Sequence, residues 1–163
     1  MSFGRQTGTA GGVEPDAVAD FARGVEFLKN GYPQKALECL KRAVECDPRN
    51  SYYLSFFGLS MARAERKWAK AAEPCEQAIQ IKRNEIQFHL NLADVYVAAG
   101  RREDALDTID RALKSLGEDK RLRIARNRAE NRRTPVLAFL GRENSLNREL
   151  GRLRHRILGS RTK

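Results

Sequence analysis

Residues 24–48 read GVEFLKNGYPQKALECLKRAVECDP, and this stretch decides the fold because it holds two amphipathic segments of helical periodicity separated by one turn. Gly24 and Phe27 place a small and a large side chain three residues apart, as neighbours on one helix face must be. In the second segment, steps of four and three residues separate Ala36, Leu40 and Ala43, which places their side chains on one helix face. Gly31 marks the turn, and Pro33 stands where a proline opens a helix. The stretch therefore predicts a helix, a turn and a second helix.

The same pair of helices is predicted three times along the chain. The small and the large residue of the first helix recur at steps of 34 and then 35: Gly24, Gly58 and Ala93, and Phe27, Met61 and Tyr96. A small residue of the second helix recurs at steps of 35 and then 34: Ala36, Ala71 and Ala105. The longer step comes second for the first helix and first for the second helix, so one residue is inserted between Met61 and Ala71. We expect a turn there, because turns tolerate insertions. Pro74 lies inside a predicted helix, where we expect it to bend that helix.

These residues resemble the tetratricopeptide repeat family, with three units at about 17–50, 51–85 and 86–118. Further residues that carry the resemblance are Gly31-Tyr32, Asp47-Pro48, Trp68, Ala78, Leu92, Gly100 and Ala112. The resemblance implies an all-α fold, a helix-turn-helix repeat solenoid of about six repeat helices with additional C-terminal helices. The chain departs from the family early in the first helix of two units, where Asp20 and His89 replace a bulky aromatic residue.

The resemblance implies a non-enzymatic interaction scaffold or adaptor, which binds an extended peptide or a helix in a groove lined by the first helix of each unit. Carried over position by position, this apolar groove would present Phe21, Val25, Leu28, Tyr52, Phe56, Leu59, Leu90 and Asn91. Packing in the core is the alternative interpretation for the residues of the first unit. Family members that clamp the terminal carboxylate of heat-shock chaperones use Lys, Asn and Arg. We do not expect that function, because the matching residues are Phe21, Val25, Phe56, Gln87 and Asn91.

The positive charge of the chain is concentrated at one end. The formal net charge is +10, and residues 119–163 hold 14 of the 31 basic residues but only 4 of the 21 acidic ones. Twelve of these 14 are Arg, a side chain suited to grip carboxylate or phosphate. We therefore expect a flexible N-terminal segment at 1–16, a three-repeat domain at 17–118 and an Arg-rich helical extension at 119–163.

The extension divides into three predicted parts. Residues 119–133 predict a basic helix with Leu122, Ala125 and Ala129 on one side, suited to cap the last repeat. Residues 136–140 form a short apolar segment. Residues 143–158 predict a helix with an apolar seam of Leu146, Leu150, Leu153 and Ile157, and with basic residues Arg148, Arg152, Arg154 and Arg156.

Three interpretations of the extension stay open from the sequence. It can fold back as a cap whose arginines pair with acidic helix faces of the repeats. It can be an arm whose seam meets a partner helix or a second copy, giving a homodimer. As the alternative function, it can bind nucleic acid or anionic lipid through Arg and phosphate.

Composition and motifs favour a non-enzymatic, cytoplasmic protein. The two histidines, His89 and His155, have no metal ligand or nucleophile close to them in sequence, so we expect no catalytic residues, no metal and no cofactor. The three cysteines form no Cys-x-x-Cys pair, and their odd number argues against a disulfide framework and for a reducing compartment. No apolar stretch is long enough for a signal peptide or a membrane span.

Overall fold

The computed structural model describes residues 16–131, in which every element of regular secondary structure is an α-helix. The helices are α1 (Ala17–Lys29), α2 (Pro33–Cys46), α3 (Ser51–Glu65), α4 (Trp68–Ile81), α5 (Ile86–Ala98), α6 (Arg102–Leu116) and α7 (Lys120–Asn131). The predicted all-α repeat fold is confirmed for this part of the chain. The apolar segment at 136–140, the seam and its arginines lie outside the described residues. None of the helices within residues 16–131 is both long and apolar enough to cross a membrane.

The first and second helices of each repeat begin in different ways. Asp16, Asn50 and Glu85 stand at the N-caps of α1, α3 and α5, and each side chain accepts backbone N–H groups of the first turn. Caps by Asp or Asn, such as those at Asp16 and Asn50, contribute about 1 kcal/mol each. The second helices α2, α4 and α6 have no side-chain cap and start directly from a tight turn, with Pro33 opening α2 as predicted. Side-chain caps therefore fix where the first helix of each repeat starts.

The inserted residue of the middle repeat is absorbed at the end of α3. This helix has 15 residues, whereas α1 and α5 have 13 each. Gly31 and Gly100 turn the chain in the first and third repeats with φ of +78° and +80°, and Arg66 does so in the middle repeat with φ of +60°. The left-handed region favours glycine, so the middle turn is the more strained of the three. The prediction of an insertion between Met61 and Ala71 is confirmed, and it extends a helix as well as altering the turn.

Close approach of α3 and α4 depends on Gly58. A Cβ atom at this position would lie 2.5 Å from the carbonyl oxygen of Ala71 and 2.6 Å from the Cys75 sulfur. The ring of Pro74 lies against the same spot, 3.1 Å from that Cβ position. Helix α4 continues through Pro74 to Ile81, so the proline serves as a packing residue within an unbroken helix.

One hydrophobic core runs through the repeats into α7. The second helices contribute fully buried alanines at matching repeat positions: Ala36, Ala71 and Ala105, and Ala43, Ala78 and Ala112. Leu122 and Ala129 of α7 are buried in the same core as Ile109 of α6. The helix predicted over 119–133 is thus present as α7, and its apolar side is buried. The Arg126 guanidinium of α7 also donates to Asp110 of α6 at 2.7 Å.

Candidate peptide-binding groove

The candidate groove face is the surface of the first helices α1, α3 and α5 that carries Val18, Phe21, Val25, Phe56 and Leu90. Phe21 of α1 joins this surface to α3, because its ring lies 5.4 Å from that of Phe56 in an edge-to-face arrangement. Phe21 also packs against Tyr53, with ring centroids 5.1 Å apart. Aromatic pairs of this geometry stabilise beyond the area that they bury. Phe21, Val25 and Phe56 stay half-buried, and Val18 is 68% exposed, so the α1–α3 half of the groove face is apolar and accessible.

Polar side chains join α3 to α5 in the other half of the groove face. The Asn91 side-chain amide donates to the Ser55 hydroxyl at 2.9 Å, and the Gln87 side-chain amide donates to Oδ1 of Asn91 at 2.8 Å. Ser55 and Asn91 are buried, where unpaired polar groups would be costly. This chain of hydrogen bonds therefore fixes the spacing of α3 and α5.

An ion pair marks the same half of the groove face nearer the C-terminal ends of the helices. Arg63 of α3 lies 3.3 Å from Asp94 of α5, and both side chains are partly exposed. Exposed pairs of this kind contribute little stability. Their main effect is on the character of the surface, which changes from apolar between α1 and α3 to polar and charged between α3 and α5.

Several of the residues predicted to line the groove instead hold the helices together in the structure. Leu28 and Leu59 are buried in the core, and Asn91 is used in the hydrogen-bond chain described above. A ligand can therefore contact little of their surface. The predicted residues that combine an apolar side chain with accessible surface are Phe21, Val25, Phe56 and Leu90.

Tyr52, which the sequence analysis places among the residues of the groove, is held at the α4–α5 turn. Its hydroxyl donates to the Glu85 carboxylate at 2.7 Å and accepts from the Lys82 ammonium at 3.0 Å. Its ring packs edge-to-face on Phe88, with centroids 5.0 Å apart. The Tyr52 hydrogen bond also lowers the pKa of the Glu85 carboxyl. Tyr52 thus fastens α3 to the turn that precedes α5.

Sequence reasoning missed Ile124 of α7. This side chain is 48% exposed and follows Leu90 by 34 residues, as Leu90 follows Ser55 by 35. The repeat step thus places Ile124 in register with Phe21, Ser55 and Leu90, at the end of the groove face. The signal was present in the sequence, because α7 continues the spacing of the first helices beyond the third repeat.

The described residues show no arrangement suited to holding a metal ion: no three His, Cys, Asp or Glu side chains come together within 16–131. Cys39, Cys46 and Cys75 form no disulfide bond among the described residues. Burial raises the pKa of the Cys75 thiol to about 12, and this thiol donates to the Ser55 carbonyl oxygen at 3.3 Å. A thiol of such a high pKa is a poor nucleophile, so Cys75 serves packing.

Comparisons with known proteins agree with this architecture. The family model described as tetratricopeptide repeat matches residues 62–129. The second such domain of human RPAP3, solved in complex with the HSP70 peptide SGPTIEEVD, is 19% identical, with 72% of this chain and 98% of that chain covered and a TM-score of 0.58. The TPR2B domain of yeast Sti1, in complex with pHsp70, is 17% identical, with coverages of 72% and 98% and a TM-score of 0.59.

A further structural match is a variant of the Thermobaculum terrenum O-GlcNAc transferase. It is 23% identical, with 69% of this chain but only 22% of that chain covered, and its TM-score is 0.60. Identities this low show that the fold is shared and leave ligands undetermined. No curated protein sequence matches this chain.

Proposed function

The chain belongs to the tetratricopeptide repeat family, and from this premise we propose that it is a non-enzymatic adaptor that binds a peptide or helix on the groove face. The observation that carries the proposal is the accessible apolar surface shared by α1 and α3. Val18 is largely exposed, and Phe21, Val25 and Phe56 beside it stay half-buried. Apolar surface gathered in one place favours a binding role over a purely structural one.

The chemistry of the groove face favours a ligand with apolar anchors. At the five positions where chaperone-binding relatives use Lys, Asn and Arg to clamp a carboxylate, this chain has Phe21, Val25, Phe56, Gln87 and Asn91. No cation stands at these positions, and a carboxylate brought there would lose its hydration without a charged partner. We therefore propose a segment that places large apolar side chains on the α1–α3 half and polar groups on the α3–α5 half. A peptide selected for its terminal carboxylate does not fit.

Selection of peptides on the full-length protein tests this proposal. Display libraries should yield peptides with at least two large apolar residues, since only these fill the α1–α3 half. Replacing Val18→Ser together with Val25→Ser should weaken their binding by about tenfold, because apolar anchors carry most of the affinity of such contacts. Neither valine belongs to the buried core, so the variant should still fold.

Ile81→Ser is the matched control for this variant. Ile81 is an exposed apolar residue at the end of α4, outside the groove face, and its replacement should leave the affinity unchanged. The proposal is contradicted if the valine double variant binds as well as the wild type, or if selection returns acidic peptides that need a free terminal carboxylate.

We also propose that the Arg-rich extension caps the repeats or recruits a second partner, in a protein of the reducing cytoplasm whose cysteines Cys39, Cys46 and Cys75 form no disulfide among residues 16–131. The described part of the extension supports the capping role. Arg126 of α7 pairs with Asp110 of α6 and so links the extension to the last repeat. Arg121 pairs with Asp119, which belongs to the extension itself. Binding of nucleic acid by the extension stays a prediction that rests on residues outside the described part.

A further inference from the structure

An open cleft of about 900 Å³ lies between α4, α5 and α6. Helix α5 presents His89, Leu92 and Tyr96 to this cleft, whereas Leu90 and Asp94 belong to its groove-face side. Since successive residues of a helix are about 100° apart, these two sets lie on opposite sides of α5. The cleft is therefore separate from the groove face.

The first repeat carries a different pair of side chains at the positions that match His89 and Arg111. Asp20 of α1 and Arg42 of α2 stand 69 residues before His89 and Arg111, at the same repeat positions. The Arg42 guanidinium donates to both Asp20 carboxylate oxygens, at 2.9 and 2.8 Å, and Asp20 is 3% exposed. This two-pronged pair bridges the two helices of the first repeat.

In the third repeat the same two positions do not bridge. A ring nitrogen of His89 lies 3.0 Å from the carbonyl oxygen of Arg83, on the turn before α5. Arg111 instead pairs with Asp107 of its own helix at 2.9 Å. These two positions are therefore not joined by a side-chain bridge, and both His89 and Arg111 line the cleft.

The lining of the cleft combines positive charge with an apolar floor. Arg83, Arg111 and Lys114 supply three cations. Glu76 is the single carboxylate of the lining, and it accepts a hydrogen bond from the Tyr96 hydroxyl at 2.6 Å. Arg83 and Lys114 have no carboxylate partner among the residues that the structure describes. Two unpaired cations in one concave surface attract anionic groups.

Apolar side chains lie between these charges. Ile79 of α4, Leu92 of α5 and Leu116 of α6 contribute to the lining, so the cleft can bury an apolar group next to its cations. The volume falls within the roughly 300–1,000 Å³ of ligand pockets that combine apolar walls with a few polar groups. A highly charged ligand without an apolar part would leave this floor unused.

We propose that the cleft is a second binding site, which takes an acidic peptide segment carrying a large apolar side chain between its carboxylates. The carboxylates meet Arg83 and Lys114, and the apolar side chain reaches the floor. The site lies on the opposite side of α5 from the groove face, so the two faces can hold different partners at the same time.

A labelled peptide of sequence EDEFSDE, which carries a single large apolar residue, provides the test, with its binding to the full-length protein measured by fluorescence anisotropy at about physiological ionic strength. Reversing both unpaired cations, Arg83→Glu with Lys114→Glu, should weaken binding by about tenfold or more. Both side chains are exposed, so the variant should fold. Ser115→Trp, which fills the cleft without changing the charge, should weaken binding as well.

Two controls separate the cleft from other positive surfaces of the chain. Arg49→Glu with Lys70→Glu removes the same charge at exposed positions outside the cleft and should change the affinity much less. Val18→Ser with Val25→Ser should leave it unchanged, since the groove face is a different site. Equal loss in the two charge-reversal variants, or binding that Ser115→Trp does not alter, would overturn the proposal.

Discussion

The first and third repeats share a backbone register but differ in the side chains that join their two helices. In the first, Asp20 and Arg42 form a buried bridge between α1 and α2. In the third, the matching His89 and Arg111 each bind elsewhere, and a cleft opens between the helices. The fold tolerates both arrangements, because the buried alanines that bring the helices together are the same in each repeat. Small residues set the fold, and the positions between them are free to differ in function.

The largest effect is expected where the small residues themselves are changed. Gly58→Leu should destabilise the protein by about 3 kcal/mol, because its side chain would collide with the Ala71 carbonyl oxygen and the Cys75 sulfur. Denaturant unfolding monitored by circular dichroism measures the loss. Ala69→Leu, at an exposed position of α4, is the control and should change the free energy of unfolding by less than about 0.5 kcal/mol. An unchanged unfolding midpoint for Gly58→Leu would refute the close approach of α3 and α4.

A smaller loss of stability is expected when the Asp20–Arg42 bridge of the first repeat is removed, and this loss distinguishes the first repeat from the third. Arg42→Met leaves the buried Asp20 carboxylate with Arg23 as its remaining partner, at 3.1 Å, and should cost about 2 kcal/mol because a buried charge loses its main counter-ion. Arg111→Met, at the same position of the third repeat, removes only an exposed pair with Asp107 and should cost less than about 0.5 kcal/mol. Equal costs for the two variants would mean that the bridge does not distinguish the repeats.

The smallest expected effect is the contribution of Asp20, in the first repeat, to the pH dependence of stability. The hydrogen bond from Arg42 lowers the pKa of Asp20 below its ordinary value of 3.8. Because the folded-state pKa is the lower one, the contribution of Asp20 to stability is present above about pH 3.8 and is lost as the pH falls through the folded-state value. The difference in unfolding free energy between the wild type and Asp20→Asn should therefore shrink in acid.

Measuring both proteins over the same pH range removes the other carboxyls from this comparison. Glu85, Asp104 and Asp119 also have lowered pKa values, but they titrate alike in the two proteins and cancel. A difference that stays constant down to pH 2 would show that the pKa of Asp20 is the same in the folded and unfolded states.

The fold could be predicted from the sequence because small residues recur at a fixed step. Gly24, Gly58 and Ala93 locate the first helix of each repeat. The order of the 34- and 35-residue steps places the inserted residue among the nine residues between Met61 and Ala71. The conformation of Arg66, which takes the place of a turn glycine, could not be predicted, since arginine rarely adopts a positive φ. Repetition therefore predicts the helices well and the turns less well.

The candidate site was less predictable because it depends on which partner each side chain selects. Carrying positions over from a family identifies the helix face, and Phe21 and Phe56 do pair across α1 and α3. It does not predict that Tyr52 bonds to Glu85 from the next turn, or that Arg111 pairs along its own helix. Each of these side chains has a partner far away in sequence or selects one of several acceptors close by. The sequence therefore does not predict the cleft.

Nuclear magnetic resonance of the full-length protein, titrated with a peptide selected for groove binding, tests the central claim most directly. The claim predicts that amide shifts concentrate in α1 and α3, around Phe21, Val25 and Phe56, and leave the cleft side of α6 unchanged. Shifts confined to residues 119–163, or to Arg111 and Lys114 of α6, would contradict the claim that the apolar half of the groove face binds the partner.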